Sequence, residues 1–307
     1  MNATPTCPIC RQSRASRYAI ARDIEYFTSP EDFTFYRCDD CDVLFLDPMP
    51  ADRLDEIYPK NYYSFHVDVD RSLAQRIKRF LDERTFAALT RGVEGSSLAA
   101  LDVGGGSGWL LNDLKRADPR VKETAVVDID PRAESIAHAN GHAYHLTTFE
   151  KFETDNRFDI ILMLNLIEHV TDPMAVLRKA KQLLRPGGRI WIKTPNFDAF
   201  DARLFKNRSW GGYHTPRHFV LFTKDSLVRH CESAGLRVTH CSYTQGAPFW
   251  TVSIINELRN LGLCSVSAGR PSIEHPLTPL FHISFAALDF LRMPFAKTSQ
   301  VNIHLTA

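Results

Sequence analysis

The 307-residue chain has almost no excess of charge of either sign, with 37 Lys and Arg against 36 Asp and Glu and a formal +1 when the histidines are neutral. Without a global field to draw in a polyanion, nucleic acid and anionic lipid are disfavoured as general partners, although local patches stay open. No window reaches about 18 uninterrupted apolar residues, which excludes an ordinary transmembrane helix and leaves peripheral membrane contact as the remaining mode. The opening MNATPTCPIC has neither the basic n-region nor the apolar h-region of a secretory signal, so the expected compartment is the cytoplasm. Apolar residues at 44% and charged residues at 24% exclude a wholly disordered or collagen-like chain, and the length predicts about two domains.

Cysteine is sparse, and its odd count of seven does not suit a disulfide framework. Four of the seven form two Cys-x-x-Cys pairs, Cys7 with Cys10 and Cys38 with Cys41, with 27 residues between Cys10 and Cys38. Two residues between paired cysteines let one tight turn present both sulfurs to one ion, and zinc favours four thiolates in a tetrahedron. The spacer exceeds the usual ribbon length of about 15 to 20 residues, and buried free thiols or a redox pair are the alternatives. The pattern predicts a zinc-ribbon-like module and linker over residues 1–60, with structural Zn2+ stabilising a unit too small to build its own core. All seven cysteines are expected to be reduced.

Residues 51–70, after the prolines of VLFLDPMP, read as a linker with one short helix, and a basic amphipathic helix follows from Arg71 to Arg91. There Arg71, Arg76, Lys78, Arg79, Arg84 and Arg91 outnumber Asp82 and Glu83, which fits either a solvated cationic face or contact with a phosphorylated or membrane-bound acceptor. From Ser97 short apolar runs alternate with helical stretches. LAALDV, TAVVDI, HAYHLT, FDIILML, RIWIKT and LRVTHCSY read as strands, and Pro186-Gly187-Gly188 reads as a helix stop before the fifth. Repeated βα units predict the α/β class with a doubly wound, Rossmann-like parallel sheet.

The run LDVGGGSGWLL leaves a strand and enters a helix, with Gly104, Gly106 and Gly108 at alternate positions. Glycine is needed where backbone must turn sharply and approach a ligand closely, and the helix start supplies free N–H groups. Twenty positions after Gly108, Asp128 ends the next strand, where a carboxylate can accept from ribose hydroxyls. Asp130, directly before Pro131, suits a helix cap better.

These residues resemble the class I S-adenosylmethionine-dependent methyltransferases, and FDIILMLNLIEHVTDPMAVLRKAKQLLRPGGRIWIKTPN is similar to the branch containing ubiquinone-biosynthesis O-methyltransferases. The resemblance covers about Leu98 to Tyr243. It implies that Asp102 orients the loop and the methionine ammonium, that Gly104, Gly106 and Gly108 line methionine and ribose, and that Asp128 holds the ribose. It also implies that Thr148 and Phe149 flank adenine and that Asn165 faces the donor. Glu168 and His169 either close the turn or touch donor or acceptor.

For the acceptor, WGGYHTPRHFVLF gathers Trp210, Tyr213, His214 and His218 in one loop after the fifth strand. Imidazole titrates near neutral pH, so His214 or His218 can take a proton from an acceptor hydroxyl, with Tyr213 the third candidate and His214 slightly preferred. Structural packing of these residues is the alternative. No acidic cluster for a metal-dependent reaction is visible near these strands. Two apolar helical patterns, PFWTVSIINELRNLG and LFHISFAALDFL, separate LRVTHCSY from a last strand SQVNIHLTA and fit a lid, a dimer face or a membrane-surface contact. The expected organisation is a helical connection over 61–96, a donor-binding methyltransferase domain over 97–245, a helical insertion over 246–297 and the last strand over 298–307. The expected reaction is methyl transfer to a small or carrier-linked acceptor, first of all a sugar, glycan or secondary-metabolite hydroxyl. A catalytically silent binding module and a nucleic-acid methyltransferase are the rivals.

Overall fold

The computed structural model describes residues 5–62, 73–207 and 209–307, and of 73–81 the backbone only. Helix α2 (Leu73–Thr90) takes the place of the basic helix, while Arg71 and the side chains of Arg76, Lys78 and Arg79 lie outside the described residues.

Seven strands form the main sheet: β4 (Leu98–Val103), β5 (Val121–Asp128), β6 (Ala143–Leu146), β7 (Phe158–Leu164), β8 (Leu184–Pro195), β10 (Arg237–Thr244) and β11 (Gln300–Thr306), in the order β10-β11-β8-β7-β4-β5-β6. β4 to β8 run parallel, and β11 lies antiparallel between β8 and β10. FDIILML in β7 is apolar and almost wholly buried, as expected of a central strand covered by helices on both faces. The order reverses at β4, so β4 and β7 open a crevice at their carboxyl ends.

Local signals fix the connections. Asp130 caps α4 (Pro131–Ala139) by accepting from the Arg132 amide, with proline in the first turn, as its position before Pro131 predicts. Thr223 and Ser226 form a reciprocal capping box on α7 (Lys224–Ser233). One boundary differs from expectation: β8 begins at Leu184, ahead of the glycine pair. A Cβ on Gly188 would sit 2.8 Å from the Asp159 carbonyl oxygen, so glycine there serves close strand approach rather than termination.

A second, antiparallel sheet carries the four cysteines: β1 (Ala15–Ala21), β2 (Phe33–Cys38), β3 (Val43–Asp47) and β9 (Val220–Phe222). β9 comes from the loop after β8, pairs with β3, and also bonds the end of β8 through Phe197 and Asn196. One apolar core therefore runs from Phe35, Leu44 and Phe45 through Phe222 to Ile161 and Ile192. Between β10 and β11 lie α8 (Ala247–Asn260) and α9 (Thr278–Arg292), which pack on each other. α8 presses on the WGG turn: Gly211 donates to the Ser253 hydroxyl at 2.9 Å, and a Cβ at Gly211 would strike the Phe249 carbonyl. No helix of the described residues is long and apolar enough to cross a membrane.

Candidate active site

At the carboxyl end of β4 the chain turns through Gly104, Gly106 and Gly108 with φ of +72°, +51° and +74°, left-handed values that a side chain would strain. Gly108 opens α3 (Trp109–Ala117), leaving the helix N–H groups facing the crevice. Asp128, at the end of β5, holds this loop in place. Its Oδ2 accepts from the Gly106 amide at 2.8 Å and its Oδ1 from the Asp130 amide at 3.0 Å, and each oxygen keeps a lone pair for a ligand hydroxyl.

Asp102 lies directly beneath the loop, where a Cβ on Gly105 would come within 2.4 Å of its carboxyl carbon. It is fully buried, and its Oδ2 has no hydrogen-bond partner among the described residues. Burial, with the Asp128 charge adding to it, pushes its pKa up to about 8. A buried acid with a vacant acceptor, under a cradle that tolerates no Cβ, fits the cationic amino-acid end of S-adenosylmethionine.

The other expected donor residues are placed differently from one another. Asn165, in the left-handed region at φ +55°, ends β7 and accepts from the Gln300 side chain at 3.1 Å. The next residue, Leu166, stands 3.0 Å from where a Cβ on Gly104 would be, so this turn meets the glycine loop. Thr148 is half-buried and its carbonyl caps the turn through Phe152. Phe149 is buried in the apolar core, stacked on Phe152 and beneath the Lys179 ammonium.

Beyond Leu166, three imidazoles converge. The ring centroid of His218 lies 4.6 Å from that of His169 and 4.9 Å from that of His214. Each ring is oriented through Nδ1. His218 faces the Gly212 carbonyl at 2.9 Å, His169 faces the Arg217 carbonyl and the Tyr58 hydroxyl, and His214 faces Glu25 Oε1 at 2.8 Å. Burial, then the other histidines, holds His218 well below the usual imidazole range, and burial, then His214, lowers His169 to about 3. Tyr213 stands apart from this group. Its hydroxyl donates to the Lys206 carbonyl, its ring is stacked on Phe35, and burial raises its pKa.

Glu168 is fully buried, with Oε2 accepting from the Thr194 hydroxyl at 2.8 Å and Oε1 4.0 Å from His218 Nε2 without a hydrogen bond among the described residues, and burial pushes it up to about 8. The ligand-type atoms of Glu168, His169 and His218 lie within 4.8 Å of one another, a two-histidine, one-carboxylate set. This cluster is not visible in sequence as an acidic group, since two of its three members are histidines and His218 joins from 49 positions beyond His169. Glu25, Asp23, Tyr58 and Tyr62 were missed as well, since all four come from the segment read as cysteine module and linker. A carboxylate pair in the aromatic-rich stretch between the Cys-x-x-Cys turns was the signal for Asp23 and Glu25, while Tyr58 and Tyr62 lie beyond that stretch.

Cys7 Sγ lies 3.6 Å from Cys41 Sγ and Cys10 Sγ 3.5 Å from Cys38 Sγ, and all four sulfurs fall within 4.8 Å of one another. Zinc bonded to four sulfurs at about 2.3 Å sets them about 3.8 Å apart, so the four thiols fit that ion without rearrangement. The hydrogen bond from Cys41 holds Cys7 down at about 5, which supplies a thiolate, while that same contact raises Cys41. Such competition is relieved by a shared cation.

Residues 65–241, more than half of the chain, match the family model described as a methyltransferase domain. The chain belongs to the methyltransferase-domain family. Among curated relatives, this methyltransferase is 32% identical over 182 residues to the ubiquinone biosynthesis O-methyltransferase of Nitrobacter winogradskyi, covering 52% of this chain and 65% of that protein. It is 38% identical over 176 residues to the enzyme of the same name from Bradyrhizobium sp., covering 52% and 67%. The matched segment thus spans about two thirds of these relatives. Among solved structures, the methyltransferase in complex with the Haloferax volcanii Trm112 methyltransferase activator aligns with TM-score 0.50 and 14% identity over 76% of this chain and 92% of that one. Coclaurine N-methyltransferase aligns at TM-score 0.50 and 11% identity over 79% and 76%. Both show that the fold is shared. The expected doubly wound methyltransferase architecture and the gathering of Cys7, Cys10, Cys38 and Cys41 are both present.

Proposed function

We propose that the protein transfers the methyl group of S-adenosylmethionine to a hydroxyl oxygen of a small or carrier-linked acceptor lying between the glycine loop and the three imidazoles. The observation that carries this reading is the contact of the Asn165–His169 turn with the glycine loop, which sets the acid–base residues beside the donor crevice. In this reading Asp102 receives the ammonium, Gly104, Gly106 and Gly108 admit the methionine and ribose, Asp128 accepts from the ribose hydroxyls, and Thr148 and Asn165 border the donor. Phe149 supports that wall from the core. When bound, the donor supplies an electrophilic methyl on a sulfonium. The chain's own share is orientation, which can remove on the order of 7–11 kcal/mol of barrier, and removal of the hydroxyl proton by His214, with His218 behind it.

A ring hydroxyl, with a pKa of about 10, gives up its proton to a histidine base more readily than a sugar alcohol does. The curated relatives are named ubiquinone biosynthesis O-methyltransferases, which supports the same choice. A sugar or glycan hydroxyl is the alternative acceptor. Transfer of labelled methyl to catechol and to a nucleoside diphosphate sugar separates the two: catechol as the faster acceptor is expected, and a preference for the sugar would reverse the assignment.

A second reading rests on Glu168, His169 and His218, which could take a divalent transition ion and so acidify a bound hydroxyl. It predicts two metal ions per chain, one of them lost in His218→Ala with the cysteine site still loaded. A single ion in both proteins would remove it.

A further inference from the structure

The loop between β1 and β2 leaves the cysteine-bearing sheet and buries two carboxylates against the turn that carries the histidines. Asp23 Oδ2 meets Arg217 Nη2 at 2.8 Å with both side chains fully buried, and also accepts from the Thr28 hydroxyl and amide. Arg217 bonds the Ile57 and Thr215 carbonyls as well, and its amide donates to the His214 carbonyl. This pair is saturated and rigid, a dock rather than a reactive group. Two residues on, Glu25 makes the contact of different character. Its Oε1 lies 2.8 Å from His214 Nδ1, and the His214 Nε2 faces the Tyr62 hydroxyl at 3.1 Å.

We propose that Glu25 is the positioning residue for His214, so that the cysteine-bearing module completes the acceptor side of the active site rather than serving only as a fold staple. The inference rests on the reading of His214 as the base. A carboxylate can only accept, so it places the imidazole proton on Nδ1 and leaves the Nε2 lone pair turned toward the Tyr62 hydroxyl and the crevice. It also stabilises the imidazolium that forms when Nε2 takes a proton. The backbone of His214 sits in the left-handed region at φ +39°, which disfavours any residue with a Cβ. The Asp23–Arg217 dock and the Glu25 contact together hold the ring in that conformation. Strand β9, which closes the cysteine sheet, and the Asp23–Arg217 pair bring the two side chains together across 189 positions of sequence.

The test uses the full, zinc-loaded chain with histidine nitrogens labelled, and the variants Glu25→Ala, Glu25→Gln and His214→Ala, with S-adenosylhomocysteine affinity as the control for an intact donor site. In the parent, the His214 resonances, assigned by their loss in His214→Ala, should report the Nδ1–H tautomer. Glu25→Gln should keep that tautomer, because its amide oxygen still accepts, and Glu25→Ala should lose it, with donor affinity unchanged within about twofold in both. With catechol as probe acceptor, kcat should fall about 10²–10⁴-fold in Glu25→Ala and His214→Ala, and by an intermediate factor in Glu25→Gln, with KM little changed. An unchanged tautomer in Glu25→Ala, or full kcat in Glu25→Ala while His214→Ala is inactive, overturns the positioning role and leaves the base assignment standing. Full kcat in His214→Ala overturns the base assignment itself.

Discussion

A carboxylic acid as deeply buried as Asp102, with one oxygen unpartnered, keeps its proton at neutral pH, and its pKa of about 8 carries two consequences. Between the ordinary carboxylate pKa of about 4 and that value, the folded protein binds more protons than the unfolded chain, so this residue lowers stability as pH rises through that window. Asp102→Asn should therefore stabilise the unliganded protein at pH 8 relative to pH 5, read as a narrower gap between the two melting temperatures. An ammonium seated on Asp102 would displace the proton. Titration of S-adenosylhomocysteine at pH 7 in buffers of different ionisation enthalpy should accordingly show net proton release from the parent and little from Asp102→Asn, and uptake or no difference would remove Asp102 from the donor site. At this scale the two neighbouring acids were separable from sequence alone. Asp130 precedes a proline and caps α4, while Asp128 ends the strand and ties the glycine loop. Glu25 and Tyr62 were not readable, because a carboxylate or phenol far away along the chain leaves no local pattern when its partner is supplied by a strand crossing.

At the scale of elements, hydrophobic runs located the central parallel strands β4, β5, β7 and β8, because strands covered on both faces are built mostly from apolar residues, whereas the edge strand β6 is largely exposed. β9 escaped notice for the opposite reason: three residues are too few to show a period, and its pairing with β3 is decided by the cysteine sheet. The glycine pair after α5 (Pro173–Leu183) was read as punctuation, whereas Gly188 serves the approach of Asp159 to β8. The cap on α4 gives a separable prediction. Asp130→Ala should cost about 0.5–2 kcal/mol of stability in chemical denaturation while leaving S-adenosylhomocysteine affinity intact, since the loop is tied by Asp128. A large loss of affinity would show that Asp130, not Asp128, organises the donor loop.

For the whole molecule, the continuity of one apolar core across both sheets means that the four-cysteine site supports the donor domain through β3, β9 and the end of β8. The cysteine module was legible as a motif, but its integration with the loop that carries His214 and His218 was not, since composition marks it as a separate unit. Removal of the metal by chelation, or Cys41→Ser, should loosen the sheet that carries Asp23 and Glu25. Methyl transfer should then fall further than donor affinity, measured side by side on the same sample, whereas an equal loss of both would mean that the two sheets unfold as one cooperative unit.

We propose the glycine loop between β4 and α3, tied by Asp128, as the donor site. Calorimetric titration of the zinc-loaded protein with S-adenosylhomocysteine, repeated on Gly106→Val and Asp128→Ala with folding checked by circular dichroism, addresses it most directly. One-to-one binding by the parent and its loss in both folded variants is the predicted result. Absence of binding by a well-folded parent, or unchanged affinity in both variants, would contradict it.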